Sequence, residues 1–254
     1  MNETSSTPPQ TPSKEMRINQ FLAHNLGLSR REIDKYISQG LVELDGNLAE
    51  FFDHVSVGSK VRIYIKNVWK EIINEGDKIQ TIVFYKPIFC MTTRNDPEGR
   101  KTLYHFLPRK FTHLKSAGRL DYMSEGLLVM SSDGELIQRL THAKNTTEKK
   151  YLVGTKKPLD AKTIKDYQKG IQLEDYNLNP VKVVDYNGSK EKYDYLKLEK
   201  NYFWYIFTLT EGRNNQIRKM VDLYNNRVHR LIRIEHGEYK LTPELYNNKY
   251  LEID

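Results

Sequence analysis

The sequence predicts an α+β chain: a small helix-helix-β module, then a larger domain built on a mixed, mainly antiparallel sheet with flanking helices. Two observations carry that expectation. Residues 16–66 hold two amphipathic stretches, each closed by a glycine, followed by a hairpin-like β section. From residue 79 onward apolar strands recur with few helical stretches between them, which is the α+β pattern and not a strict βαβ alternation. A length of 254 residues allows one large domain plus a small one, with ample core.

Residues 1–15 are rich in Ser, Thr, Pro and Gln without an apolar anchor, so a flexible tail is expected there. In MRINQFLAHNLG, Ile18, Phe21, Leu22 and Leu26 share one helical face, and Gly27 is a stop. Ser29 can cap SRREIDKYISQG, whose stripe of Ile33, Tyr36 and Ile37 closes at Gly40. The strand LVELDG, a turn at Asp45-Gly46 and the strand KVRIYIK follow. Residues 67–78 read as a polar linker ending near Gly76 and Lys78.

The domain at 79–254 opens on the apolar strand of IQTIVFYKP, ended by Pro87. A loop with a short helix (RNDPEGRKTLYHFLP) leads to a polar loop and the strand Leu127–Met130. A helix then starts near Glu135, capped by Ser132 or Asp133. Beyond it lie the strand of EKKYLVGT, the helix DAKTIKDYQKG capped by Asp160, and the strands VKVVDY, YLKLEK and WYIFTLTEG. The helix NNQIRKMVDLYNN, the strands of RVHRLIRIEHGEYKL and a closing YLEID complete the chain.

Lys and Arg outnumber Asp and Glu by 40 to 33, which gives a net charge of +7 and a pI near 9.2. Such an excess favours a polyanionic partner, since Lys and Arg neutralise phosphates and release counterions. The single cysteine, Cys90, excludes an internal disulfide and sits in an apolar run, as a small core hydrophobe does. No Cys/His spacing suggests zinc, and the histidines form no catalytic or metal-binding set. No apolar run is long enough to span a bilayer, and the first residues lack the layout of a signal peptide. The expected compartment is the cytoplasm.

The stretch with chemical content is SAGRLDYMSEGLLVMSSDG. Arg119 and Asp121 are two residues apart, so in an extended loop both point the same way, and Gly118 lets the backbone bend before them. Taken alone, this fits either a solvated surface ion pair or a carboxylate presented beside a guanidinium. Arg218 in NNQIRKM and Tyr151 in EKKYLV read, taken alone, as an exposed helix residue and a strand aromatic.

Two resemblances change that balance. SRREIDKYISQGLVELDG resembles the alpha-L motif, the small RNA-binding domain shared by a small-subunit ribosomal protein and many RNA-modifying enzymes. The resemblance implies that residues 16–66 pack against structured RNA, with Arg30, Arg31 and Lys35 along one exposed edge. YKPIFCMTTRNDPEGRKTL, SAGRLDYMSEGLLVMSSDG, EKKYLV and LTEGRNNQIRKMVDLYNNRVHRLIRI resemble, in order and rough spacing, the RsuA family of ribosomal RNA pseudouridine synthases. One departure is visible: Phe89 stands where that family usually has Gly, two residues after the Lys-Pro pair.

The RsuA resemblance implies an isomerisation of uridine to pseudouridine that consumes no cofactor and no metal. A carboxylate beside the anomeric carbon would act as nucleophile or as base, and Asp121 matches it. Arg218 would keep it ionised, because a neighbouring cation opposes the rise in pKa that desolvation causes. Tyr151 would stack on the base and help remove its proton. Arg119 would contact phosphate or fill the gap left by the flipped uridine, Leu231 would line the floor, and Arg213 and Arg230 would touch backbone. The expected partner is ribosomal RNA or an assembling ribosomal subunit, met by a monomer, with PEGRKTL tilting the choice toward the large subunit. The alternative is a non-catalytic RNA-binding assembly factor. Glycoside hydrolysis, which normally calls for two acids, fits less well.

Overall fold

A computed structural model of the chain describes residues 16–76, 79–173, 176–188 and 193–253. The expected flexible tail at 1–15 lies outside the described residues, as do the last two residues of the expected linker. The chain divides into two compact units between Lys78 and Ile79.

In the first unit, α1 (Ile18–Leu26) ends where Gly27 takes φ 69°. Helix α2 (Arg30–Ser38) starts on a reciprocal cap: the Glu32 amide donates to Ser29 Oγ at 3.2 Å, and the Ser29 amide to Glu32 Oε2 at 2.7 Å. Two otherwise orphan donors are thereby satisfied, a contribution of about 1 kcal/mol. Strands β1 (Val42–Leu44), β2 (Asn47–Leu48), β3 (Lys60–Ile65) and β4 (Val68–Ile73) form a sheet of order β2-β1-β3-β4. Ile18, Leu22, Ile33, Val42, Val61 and Ile63 fill the core between helices and sheet.

The expected linker is corrected here, since half of it is β4, paired with β3 from Lys60↔Ile73 to Ile65↔Val68. The turn places Lys66 at φ 52° and Asn67 at φ 63°, both in the left-handed region that a tight hairpin turn demands. Lysine in place of the usual Asn or Gly at the first position disguises the turn in the sequence. As an edge strand β4 is largely exposed, which explains its polar appearance.

The second unit is one large sheet with helices on both faces. Its strands are β5 (Thr81–Lys86), β6 (Glu125–Ser131), β7 (Lys149–Thr155), β8 (Lys182–Asp185), β9 (Phe203–Leu209), β10 (Val228–His236) and β11 (Tyr250–Ile253). Their order is β8-β9-β7-β10-β6-β5-β11, antiparallel throughout except where β10 meets β6. At that junction Ile232 pairs with Glu125 and Arg233 with Gly126. Gly126 has φ 109°, and a Cβ there would sit 2.4 Å from the Arg233 carbonyl oxygen, so this position admits only glycine.

Helices α3 (Gly134–Thr141) and α6 (Pro243–Asn248) supply Leu136, Leu140 and Leu245 to one core with Leu127, Val129 and Ile232. On the other face, α4 (Ala161–Lys169) and α5 (Gln216–Asp222) supply Tyr167, Ile217 and Met220 to a core with Val153, Phe207 and Leu231. The caps follow the sequence: Asp133 accepts from the Glu135 amide at 2.8 Å, and Asp160 from the Thr163 amide at 2.7 Å. Cys90 is fully buried in a third cluster with Phe84 and Leu128.

YLKLEK is not a strand. Asp194–Leu196 form a single 3-10 turn, closed by Lys197 at φ 50°, and Tyr193 and Leu196 use their apolar surface against the α3/α6 core. Helix α6, unanticipated, carries its signal in Thr242-Pro243: the threonine Oγ1 accepts from the Leu245 amide at 3.1 Å, and proline occupies the first turn.

Candidate active site

The loop between Gly118 and Ser124 is held by its backbone, while among the described residues no hydrogen bond or ion pair engages its acidic side chain. Gly118 turns the chain at φ 75°, and the Ser124 amide donates to the Asp121 carbonyl at 3.0 Å. Lys86, at the end of β5, is fully buried, and its ammonium donates to the carbonyls of Pro87 (3.0 Å), Asp121 (3.2 Å) and Ser124 (2.8 Å). Burial pushes its pKa down to about 8, with Cys90 and Asp121 opposing. Thr92 Oγ1 donates to the Leu120 carbonyl at 2.7 Å, and Phe89 N–H to that of Tyr122 at 2.8 Å. Phe89 itself takes φ 58°, the conformation that glycine adopts without strain, which is the local consequence of its place after the Lys-Pro pair.

From α5, Arg218 Nη2 donates to the Met123 carbonyl at 2.8 Å and Nη1 to that of Val228 at 3.2 Å. It therefore ties the loop to β10. Among the described residues it makes no direct bond to the Asp121 carboxyl; the two interact through space. Burial lowers the pKa of the guanidinium, and the Asp121 charge partly restores it.

Asp121 is half-buried at the edge of a cavity of about 530 Å³, within the range of small-ligand sites. The cavity brings together Asp121, Arg119, Tyr151, Arg213 and Leu231. Tyr151 reaches it from β7, where its neighbours across the sheet are Phe207 and Arg233, beside a bulge at Lys150/Tyr151. Leu231 is buried beneath, at 5% exposure. Arg213 is exposed, with its guanidinium carbon 4.4 Å from the Tyr176 ring centre and its Nε 3.4 Å from Glu211 Oε2.

Arg230, expected to touch RNA backbone, does not line the cavity and is engaged within the fold. Its Nε donates to Glu125 Oε1 at 2.6 Å and its Nη1 to the Leu196 carbonyl at 3.1 Å, on the opposite face of β10. Adjacent strand residues point to opposite faces, so Arg230 and Leu231 could not both enter one pocket. Arg30, Arg31 and Lys35 are exposed on α2 in the first unit. The cavity wall also includes Lys149, Arg233 and His236, which sequence reasoning missed. The available signal was a charged residue in phase with Leu231 inside the apolar run HRLIRI.

A carboxylate on a tethered loop, a tyrosine and several cations line one cavity, a set chemically able to hold an anionic, ring-bearing molecule and to supply a carboxylate for nucleophilic or base chemistry. The sequence profile of the RNA pseudouridylate synthases matches residues 80–223, and the chain belongs to that family. It is similar to the ribosomal large subunit pseudouridine synthase B of Yersinia pestis, 33% identical over 240 residues that cover 94% of this chain and 72% of the relative. Its counterpart in Escherichia coli (strain K12) is 34% identical over 228 residues, or 89% and 75% of the two chains. A crystal structure described as a pseudouridylate synthase superposes with a TM-score of 0.61 at 25% identity, covering 94% of this chain and 96% of that one.

Proposed function

We propose that the chain isomerises a uridine of large-subunit ribosomal RNA to pseudouridine, with Asp121 as the reactive carboxylate. The observation that carries this reading is that Asp121 and Tyr151 line one cavity, with the loop backbone fixed from four sides and the carboxyl itself unbonded among the described residues. A reactive oxygen needs a fixed position and an unengaged lone pair, and this arrangement supplies both.

The uridine leaves the stack and enters the cavity, since its anomeric carbon cannot be reached otherwise. Asp121 attacks that carbon or removes the neighbouring sugar proton, and the C1′–N1 bond breaks. The base turns and C5 bonds to C1′ as the Asp121–C1′ bond breaks or C2′ regains its proton; the C5 proton then departs and N1 is left protonated. Tyr151 stacks on the turning base and stands by for the C5 proton. Arg218 contributes its charge and its hold on the loop, Arg119 contacts the displaced strand, and Leu231 excludes water below. Residues 16–66 serve as the alpha-L RNA-binding domain, with Arg30, Arg31 and Lys35 against phosphate. The enzyme works as a cytoplasmic monomer on ribosomal RNA or an assembling subunit.

Mapping carbodiimide-adduct stops on ribosomal RNA from cells with and without the gene tests the assignment: one stop in large-subunit RNA should vanish. Asp121→Asn should lower single-turnover isomerisation by at least about 10³-fold while RNA affinity stays within about twofold, since only the reactive oxygen is removed. Turnover comparable to wild type by that variant would refute the role.

A further inference from the structure

The cavity lining carries charge that no ion-pair partner among the described residues neutralises. Six buried side-chain polar atoms lack a hydrogen-bond partner among the described residues, and three of them belong to residues lining this one cavity: Ser124 Oγ, Arg233 Nη2 and His236 Nδ1. Arg233 is the decisive member. Its side chain is 1% exposed, and its Nε is spent on the Leu127 carbonyl at 2.8 Å. A buried guanidinium with an idle N–H is costly and persists where something else supplies the acceptor.

The surroundings do not supply one. Lys149, also on the wall, donates to the Thr147 carbonyl at 3.1 Å. Burial and the Arg233 charge hold the Lys149 ammonium below its ordinary pKa. His236, paired in register with Lys149, donates from Nε2 to the Leu140 carbonyl at 3.0 Å, and burial with Arg233 pushes its pKa down to about 3, so it stays neutral. Glu211, the other acid on the wall, is engaged by Gln216 Nε2 and the Asn179 amide, both at 2.9 Å. Among the described residues neither Arg233 nor Lys149 has an ion-pair partner. Arg233 also stands directly across the strands from Tyr151, where the base would lie.

We propose that Arg233, assisted by Lys149, is a catalytic residue that takes up the negative charge of the detached uracil while it turns. The proposal rests on the isomerase reading above. When the C1′–N1 bond breaks, its electron pair stays with the base, giving a uracil anion whose charge is shared by N1, O2 and O4. C1′ is meanwhile satisfied by an Asp121 oxygen or by a double bond to C2′. The electron pair is used when C5 bonds to C1′ as the Asp121–C1′ bond breaks or C2′ regains its proton; the C5 proton is then lost and N1 is protonated, so no co-reactant is needed. The base carries this charge only between bond cleavage and bond formation, and a preorganised cation in a water-poor cavity acts on it then.

The test compares cleavage of the glycosidic bond in single turnover on two versions of the mapped RNA fragment, one with uridine and one with 5-fluorouridine at the target. Fluorine makes the departing base a weaker base that needs less external stabilisation. Arg233→Gln should slow the uridine substrate by about 10²-fold or more, and the loss should shrink by about tenfold on the fluorinated one, at unchanged RNA affinity. Lys149→Met should show a smaller loss with the same contraction, and it decides alone if Arg233→Gln does not give a cooperative thermal transition. Equal losses on both substrates, or no loss on either, would overturn the proposal. A wild-type enzyme that converts neither substrate would instead sink the isomerase reading itself.

Discussion

Asp121 and Glu125 lie four residues apart, at the end of one loop and the start of the next strand, each with an arginine at hand, and the protein treats them in opposite ways. Glu125 is 7% exposed and saturated: Arg230 Nε reaches its Oε1 at 2.6 Å, Arg230 Nη2 its Oε2 at 3.4 Å, and the Tyr85 hydroxyl donates to the same Oε2. Burial and then the Glu125 charge drive the Tyr85 pKa far up; for Arg230, burial opposes the charge and Glu125 more than offsets it. Asp121 has none of this. Its arginine binds the backbone of the loop and not the carboxyl. A carboxylate whose lone pairs are filled is structural, whereas one held only through its backbone keeps them for a substrate.

Variants can break that contrast. The largest effect expected is from Glu125→Gln, which leaves the half-buried Arg230 charge only the more distant and more exposed Glu199 at 3.6 Å and should cost about 3 kcal/mol in a urea titration. Asp121→Asn should change stability by less than about 0.5 kcal/mol. Reversal of the two stabilities would mean that Asp121 is the structural acid.

Arg218→Met comes next. It removes both the Met123 tether and the charge facing Asp121, and should lower the single-turnover rate by about 10²-fold with little change in RNA affinity. A change confined to affinity would show that Arg218 binds RNA and leaves the loop alone.

The open site should also mark the acid stability of the protein. His236 takes its proton near 6.5 when unfolded but only near about 3 when folded, so the unfolded chain binds more protons between those values. Stability is therefore intact above about pH 6.5 and falls as pH drops toward about 3. His236→Asn should remove roughly 2 kcal/mol of that fall, a figure discounted from the full shift. An unchanged acid limb would mean that the loss arises at other groups and not at His236.

The smallest effect concerns the first unit. Replacing Arg30 and Arg31 with alanine should reduce the slope of log affinity against log salt by roughly 1 to 2, without altering the rate on saturating RNA. An unchanged slope would mean that α2 holds no phosphate.

Local chemistry made much of this readable. The Ser29/Glu32 cap, Gly27, Asp133 and Asp160 act on neighbours within a few residues, so the ends of the first four helices could be placed from the string of letters. The hairpin through Lys66-Asn67 could not, because its turn residues are unusual and its strand gains its meaning from pairing with β3. YLKLEK alternates like a strand, yet its apolar side chains are used by a core that the alternation does not specify.

The sequence by itself determined the α+β class, because local periodicity is written along the chain, and its resemblance to the RsuA family singled out the loop and the candidate trio of Asp121, Tyr151 and Arg218. Which arginine of RVHRLIRI faces the cavity was decided only by tertiary structure. Bulges at Lys150/Tyr151 and Gly154/Thr155 shift the β7/β10 register, and the parallel pairing at Gly126 fixes which face of β10 meets the loop. A strand has two faces and no local sign of which will be inside, so Arg230 went to Glu125 and Arg233 to the cavity.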